Sequence, residues 1–390
     1  MILVHVVPTY WPALRYGGPI YSVHRLCVEL VNRGHTVIVL TTNVDGPNNL
    51  PVYADKPVDI DGVKVYYFDA SSSRKMYFSL RMFIKLYQLA KTVDFIHCHS
   101  LYRFPTTFST YIARLKSVPY SISPRGTLSP TLMRKKSWIS KWLWLIAFDR
   151  KNIFKANFIH VTSDFERENI KNFRFVDQGK IINIPNGVDI AGYEYIRFSG
   201  DGIDNLSPAY KNLLFIGRIS WEKGLDRLIE ALKDMPNVVL TIAGNDEDGF
   251  KAGLLDLADM LGVSDRVKFV GSVYGGEKDN LFKMASIVVL PSYSENFGIS
   301  ALEGMAHGLA VAVTPDVGLA NIVREFGCGL VLPTSPKQIA TCLMNLLSNP
   351  NQMGLMGAKG RQVAHDYFSW SGIAGQMEKA YIREVAKNKK

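Results

Sequence analysis

Two glutamates eight positions apart, Glu295 and Glu303, lie in the stretch SENFGISALEGMAHG, which follows the apolar run IVVLPSY. A carboxylate accepts paired hydrogen bonds from adjacent hydroxyls, so acids in this setting suit the OH groups of a sugar or a ribose. Phe297 and Gly298 stand between them, where a helix of small residues begins. The free N–H groups at Asn296, Phe297, Gly298 and Ile299 would face an anion such as a diphosphate. The plain alternative is one acid favouring the helix dipole and a second that is merely solvated. A second cluster, GRISWEKG, sets Arg218 and Lys223 ahead of the helical pattern LDRLIEAL. A guanidinium fork and an ammonium point charge at a strand-to-helix junction form a diphosphate clamp, or else two surface cations beside a helix start.

The first half offers different chemistry. Gly17 and Gly18 sit at the mouth of a helix, where backbone N–H groups can approach a phosphate, although a tight turn explains the pair equally well. They do not form the G-x-G-x-x-G fingerprint, which disfavours a dinucleotide-dependent dehydrogenase. His97 and His99 are two residues apart in DFIHCHS, so on a strand they point to the same side. A strand histidine is more often a satisfied core residue than a catalyst, although His99 stands at a strand's carboxyl end, where ligands of such sheets bind. No carboxylate has ligand spacing to the pair, and Asp246-Glu247-Asp248 reads as a loop, so no metal site is expected.

The elements that must position these residues follow a regular plan. Apolar runs of strand length alternate with longer amphipathic segments, the pattern of repeated βα units and parallel sheets. Strands are expected at 2–7, 36–41, 63–68, 95–99, 120–123, 158–162 and 180–184, and then at 213–217, 238–243, 267–270, 287–290, 310–313 and 330–332. Residues 192–206, rich in Gly, Asp and Asn, break the periodicity and read as a linker. The expected fold class is α/β with two Rossmann-like domains, 1–195 and 207–370, and a C-terminal helix over 371–390 that packs back on the first domain. The ligand of such a sheet sits in the loops after the strands, where the residues singled out above fall.

Composition narrows the partners. The 390 residues carry a net charge of +10, and residues 1–195 hold 25 Lys and Arg against 14 Asp and Glu, so the basic excess lies in the first half. That field implies an anionic partner, or serves solubility alone. Four cysteines without a C-x-x-C pair suggest neither a disulfide framework nor a zinc site and fit a reducing cytoplasm. The chain opens directly on a strand-like run and has no apolar stretch of about 20 residues, so neither a signal peptide nor a membrane span is expected. Residues 132–151 contain three of the six tryptophans among lysines and arginines. Trp138, Trp142 and Leu145 are expected on one helical face, able to lie on an anionic membrane, together with the basic aromatic segment 74–91; both also read as ordinary helices with a core stripe.

Taken together, these motifs resemble the family-four retaining glycosyltransferases of GT-B architecture, whose two Rossmann-like domains face each other across a cleft. The resemblance rests on the two glutamates with Phe-Gly between, GGPIYSVHRLCVELVNRGHTVIVLTT, VDFIHCHS, VTSDFE, IPNGVD and GRISWEKGL, and spans roughly residues 1–375. It implies that Arg218 and Lys223 hold a donor diphosphate and that Glu303 takes ribose hydroxyls. Glu295 would contact the transferred sugar, with Asn296, Phe297, Gly298 and Ile299 lending N–H groups. Gly17 and Gly18 would approach the distal phosphate, Gly271, Ser272 and Val273 would border the base, and His99 would stand near the reacting centre. Arg125 in SPRGTL stands where many members carry His-Gly, so its role is open between an anionic acceptor and the phosphate.

The implied reaction moves a hexosyl group from a GDP- or UDP-linked sugar to a glycan or lipid-linked acceptor, without cofactor or metal, as in bacterial surface polysaccharide or glycolipid synthesis. The expected location is the cytoplasm, or the inner face of the cell membrane as a peripheral protein. An epimerase or glycan phosphorylase of the same fold is the first alternative. Nucleic-acid binding is a remote one, since no RNP-type motif, zinc pattern or helix module supports it.

Overall fold

The computed structural model describes residues 1–52, 56–130, 138–190, 211–246 and 249–388. The linker expected at 192–206 lies outside them. The chain divides into two compact units, Met1–Gly187 with Trp370–Lys390, and Val188–Ser369. The sequence reading set the ends of these bodies at 195, 207 and 370. The second unit instead takes in Val188, whose N–H donates to Phe368 O (2.8 Å) and which bridges to Ser369.

The first unit is built on an eight-stranded sheet in the order Ile181–Asn183, Phe158–Val161, Tyr120–Ser123, Phe95–His99, Ile2–Val6, Thr36–Thr42, Val63–Phe68, Pro57–Ile60. All neighbours are parallel except the last pair. Runs such as VIVL at 37–40 are buried at every residue because helices cover both faces. One core gathers the helices Leu80–Leu89 and Phe104–Leu115. The opposite core gathers Gly18–Asn32 and the C-terminal helix Trp370–Asn388, which buries Trp370, Ile373, Met377, Tyr381 and Val385. Glu378 of that helix also pairs with Arg33 (2.6 Å) and His35 (2.8 Å).

The second unit has a six-stranded parallel sheet in the order Val267–Gly271, Val238–Ala243, Lys211–Ile216, Ile287–Leu290, Ala310–Val313, Gly329–Val331. Strand order reverses once in each sheet, between Ile2–Val6 and Phe95–His99 in the first and between Lys211–Ile216 and Ile287–Leu290 in the second. At such a reversal the adjoining loops leave in opposite directions and open a crevice at the carboxyl ends of the strands.

Candidate functional site

In the second unit the two loops at the reversal are those the sequence singled out. The first, after Lys211–Ile216, carries Arg218, then a short 3-10 turn Trp221–Lys223. The second, after Ile287–Leu290, carries Glu295 and leads into the helix Ile299–Ala306. Backbone bonds tie them together, since Tyr293 N and Ser294 N both donate to Glu222 O (2.8 and 3.3 Å). The loop at 314–319 holds the other side, with Glu295 N donating to Asp316 O and Gly318 N to Glu295 O, both at 2.9 Å.

Two glycines allow this packing. Gly224 has φ +64°, and a Cβ there would lie 2.1 Å from Pro291 O; Gly298 has φ +100°, and a Cβ would meet Val317 at 2.8 Å. Gly224→Ala would therefore add the steric cost of a left-handed residue, about 1–2 kcal/mol, to a backbone clash. The expected result is a fall in Tm of roughly 2–8 °C, measured by thermal unfolding. An unchanged Tm would mean that the turn does not pack on Pro291.

Each acid is held by a lysine. Lys223 Nζ donates to Glu295 Oε2, and Lys278 Nζ donates to Glu303 Oε1 at 2.5 Å. All four side chains are mostly covered, while Arg218 is exposed and only loosely paired with Glu222 (3.7 Å). Phe297 is buried and packs on Phe368, which leaves only its backbone for a ligand. Gly271 ends the outermost strand, where its carbonyl accepts from Gly244 N (2.7 Å), and Ser272 and Val273 follow it. Lys278 was not among the residues picked from sequence. It lies on the helix Gly275–Met284, 25 positions before its partner, with no local motif to mark it.

In the first unit the reversal point is occupied by imidazoles. His5 pairs in register with His97, and His99 follows on the same face. His97 and His99 stack at 4.3 Å, and His5 Nδ1 lies 3.1 Å from His99 Nε2. With His160 on the strand Phe158–Val161, four histidines are at most 2% exposed. Burial, followed by the charge of Arg125, holds His5 down at about 3, and the same causes put His160 at about 3. His99 is well below its usual range for those two reasons, and His97 for burial and its imidazole neighbours. Arg125 Nη1 donates to Asn186 Oδ1 (2.8 Å), whereas its Nε has no partner among the described residues. Positive φ at Ser100 (67°), Tyr102 (60°) and Arg125 (54°) concentrates backbone strain at this end of the sheet. Gly17 (φ +79°) caps the helix Gly18–Asn32, and a Cβ on it would meet nothing within 4 Å.

Sequence reasoning passed over His5 and His160. An imidazole inside ILVHVV or FIHV interrupts an apolar run without declaring a partner. The available signal was that four of the eight histidines fall near the carboxyl ends of strands.

The aromatic segment also differs from its expected face. Trp138 and Trp142 are exposed, but Leu145 is fully buried, and Ile139, Leu143 and Ile146 complete the outer stripe instead. At about 100° per residue the exposed stripe spans one helical face and Leu145 falls just past its edge, where the chain turns toward the core. On the helix Leu80–Leu89 the exposed large apolar residues are Leu80, Ile84 and Tyr87. No helix among the described residues is long and apolar enough to cross a membrane.

Comparison with known proteins agrees with this architecture. Residues 17–187 match the family described as glycosyl transferase 4-like domain, and residues 204–363 match glycosyl transferases group 1. The chain is 29% identical over 395 residues to an uncharacterised glycosyltransferase of Methanocaldococcus jannaschii, covering 97% of each. Among solved structures it resembles sucrose-phosphate synthase of Thermosynechococcus elongatus, with a TM-score of 0.78 at 20% identity over 99% of each chain. It also resembles HepE of Anabaena in complex with UDP and glucose, with a TM-score of 0.75 at 18% identity over 97% of this chain and 99% of that one. Two parallel sheets with a single strand-order reversal apiece are the GT-B plan, and the chain belongs to the group 1 glycosyltransferases.

Proposed function

We propose that this glycosyltransferase moves a hexosyl group from a nucleoside-diphosphate sugar to a glycan or lipid-linked acceptor with retention of configuration. The observation that carries the reading is the placement of Arg218, Lys223 and Glu295 on the two loops at the strand-order reversal of the second unit, with Glu303 on the helix Ile299–Ala306 that the second loop leads into. Breaking the bond from sugar to diphosphate develops positive charge on the sugar and negative charge on the leaving phosphate. Arg218, Lys223 and the N–H groups at the start of Ile299–Ala306 answer the second charge without a metal. Glu295 takes sugar hydroxyls, Glu303 the ribose, and Gly271, Ser272 and Val273 border the base. In the first unit Gly17 and Gly18 serve the distal phosphate, His99 the reacting centre, and Arg125 an anionic group of the acceptor or the phosphate. Retention fits front-face displacement, in which the leaving phosphate helps to deprotonate the acceptor hydroxyl.

A UDP-linked donor is the first to test, because HepE is similar in fold and was solved with UDP and glucose. Melting the protein against UDP, GDP, UDP-glucose and GDP-mannose should single out one base, since a ligand at 100 times its Kd adds about 2.7 kcal/mol. Glu303→Ala should lose that stabilisation while keeping its ligand-free Tm within a few degrees. Full retention of the shift would refute the ribose contact.

The acceptor fits synthesis of surface polysaccharide or glycolipid at the cytoplasmic face of a membrane. Support comes from the exposed stripe of Trp138, Ile139, Trp142, Leu143 and Ile146, with Arg150, Lys151 and Lys155 exposed beyond it. Binding to vesicles containing phosphatidylglycerol should weaken at least about tenfold in Ile139→Glu/Leu143→Glu, since partial loss of two apolar anchors already exceeds about 1.4 kcal/mol. Equal sedimentation of wild type and variant with those vesicles would remove the membrane from the proposal.

A further inference from the structure

The imidazoles of the first unit form a hydrogen-bond chain whose direction is fixed from one end. His160 Nε2 lies 2.8 Å from Ile184 O, and a carbonyl only accepts, so Nε2 carries the proton. In the neutral ring Nδ1 is then bare and accepts from Ser123 O–H (2.6 Å). The Ser123 oxygen in turn accepts from His97 Nε2–H (2.7 Å), which leaves His97 Nδ1 bare to accept from Tyr381 O–H (2.6 Å). Every link is buried, and Tyr381 comes from the C-terminal helix. Burial and the Arg125 guanidinium keep the rings neutral, as the chain requires.

His5 and His99 form a second pair. Whichever ring donates across the 3.1 Å contact, one N–H and one lone pair remain, at His5 Nε2 and His99 Nδ1, and neither atom has a partner among the described residues. Buried polar atoms left open in this way are uncommon and call for a ligand or water. The donor atoms of His5, His97 and His99 lie within 4.8 Å of one another, the spacing of a metal site. Two features oppose a cation there. Both nitrogens of His97 are already engaged, and Arg125 places a positive charge beside the rings.

We propose that His5 and Tyr381 are positioning residues for His99, His5 by direct hydrogen bond and Tyr381 by holding Nδ1, and so the orientation, of the His97 ring on which His99 stacks. The C-terminal helix thereby sets the orientation of an imidazole at the strand-order reversal of the first unit. This proposal rests on the placement of His99 at the reacting centre, and its test separates the two ideas.

The test uses the full chain with [15N]histidine, read by long-range proton–nitrogen correlation, together with turnover of whichever of UDP-glucose and GDP-mannose stabilises the protein. In wild type His97 and His160 should both be neutral Nε2–H tautomers at pH 7.5. Tyr381→Phe should leave His97 an Nε2–H tautomer, as Ser123 and His160 require, with its Nδ1 resonance moved to that of an unbonded ring nitrogen. Tyr381→Phe and His5→Phe should each lower kcat by about 10- to 100-fold with donor KM within twofold, the loss typical of a misoriented group. His5→Asn, whose side-chain amide can replace Nδ1, should recover most of it. If His99→Ala stays active, the placement of His99 at the reacting centre fails. If His99→Ala is inactive while Tyr381→Phe and His5→Phe keep wild-type kcat, the positioning proposal fails. Should either variant not fold, the wild-type spectrum still decides, because a His97 Nδ1–H tautomer or an imidazolium at pH 7.5 overturns the chain.

Discussion

Lowering the pH from 7.5 to 5.5 is expected to remove about 5 kcal/mol from the stability of the first unit, enough to unfold it or bring it to the edge of unfolding. His5, His97, His99 and His160 are neutral and buried in the folded chain, with ordinary values of 6.5 lowered in every case. Below pH 6.5 the unfolded chain binds protons that the folded chain cannot take up. Each histidine then costs about 1.4 kcal/mol per pH unit, and four act together. The stabilisation is complete above 6.5 and is lost steadily as pH falls toward about 3, where His5 and His160 protonate in place. His24, lowered chiefly by burial although Asp61 opposes it, adds to the same trend. Asp149, raised by burial, works in the opposite direction but contributes one proton at most. Glu378 and Glu384 are lowered and titrate below this window. Melting curves at half-unit steps of pH should show a slope that grows from under one proton at pH 7.5 to close to four at pH 5.5, and His160→Gln should reduce the slope at the acid end by about one. A Tm that stays flat from pH 7.5 to 5.5 would show that the cluster is hydrated or charged in the folded state.

The acid-sensitive cluster also shows where sequence was legible and where it was not. Parallel strands buried on both faces read as unbroken apolar runs, so TVIVLTT, FIHCH and IVVL could be placed from composition alone. The edge strand Pro57–Ile60 and the small hairpin Val44–Asp45 with Asn48–Asn49 were missed. They are short, half exposed and polar, and pair only because a neighbour is already in place. At the site, loops following strands advertise themselves through glycines and charges, which is how Arg218, Lys223, Glu295 and Glu303 stood out. Partners on other elements do not. Lys278 looks like any helix lysine, and Tyr381 reaches His97 across 284 positions of sequence. Leu145 lies on the edge of the stripe that Trp138 and Trp142 define, and spacing alone does not say on which side of that edge the core begins.

Lys223→Ala is expected to slow glycosyl transfer by about 10²- to 10³-fold, equivalent to roughly 2.7–4 kcal/mol of lost stabilisation of the leaving group. In the ligand-free chain its ammonium is held by Glu295, with both side chains largely covered. A diphosphate brings more negative charge than one carboxylate, and the flexible four-carbon stem lets the ammonium follow it. Donor binding on this account exchanges one ion pair for another and frees Glu295 for sugar hydroxyls. Two consequences distinguish it from a Lys223 that only braces the loop. First, kcat should fall far more than donor KM rises, because the charge on the leaving phosphate is greatest in the transition state. Second, Lys223→Ala and Glu295→Ala should be close to additive in kcat, since with donor bound each serves a different group, whereas a pair that only braced the loop would be lost to either change alone. A double variant no worse than the weaker single one, or a Lys223→Ala enzyme with more than a tenth of wild-type kcat, would mean that Arg218 and the helix N–H groups carry the leaving phosphate and that the pair with Glu295 is structural.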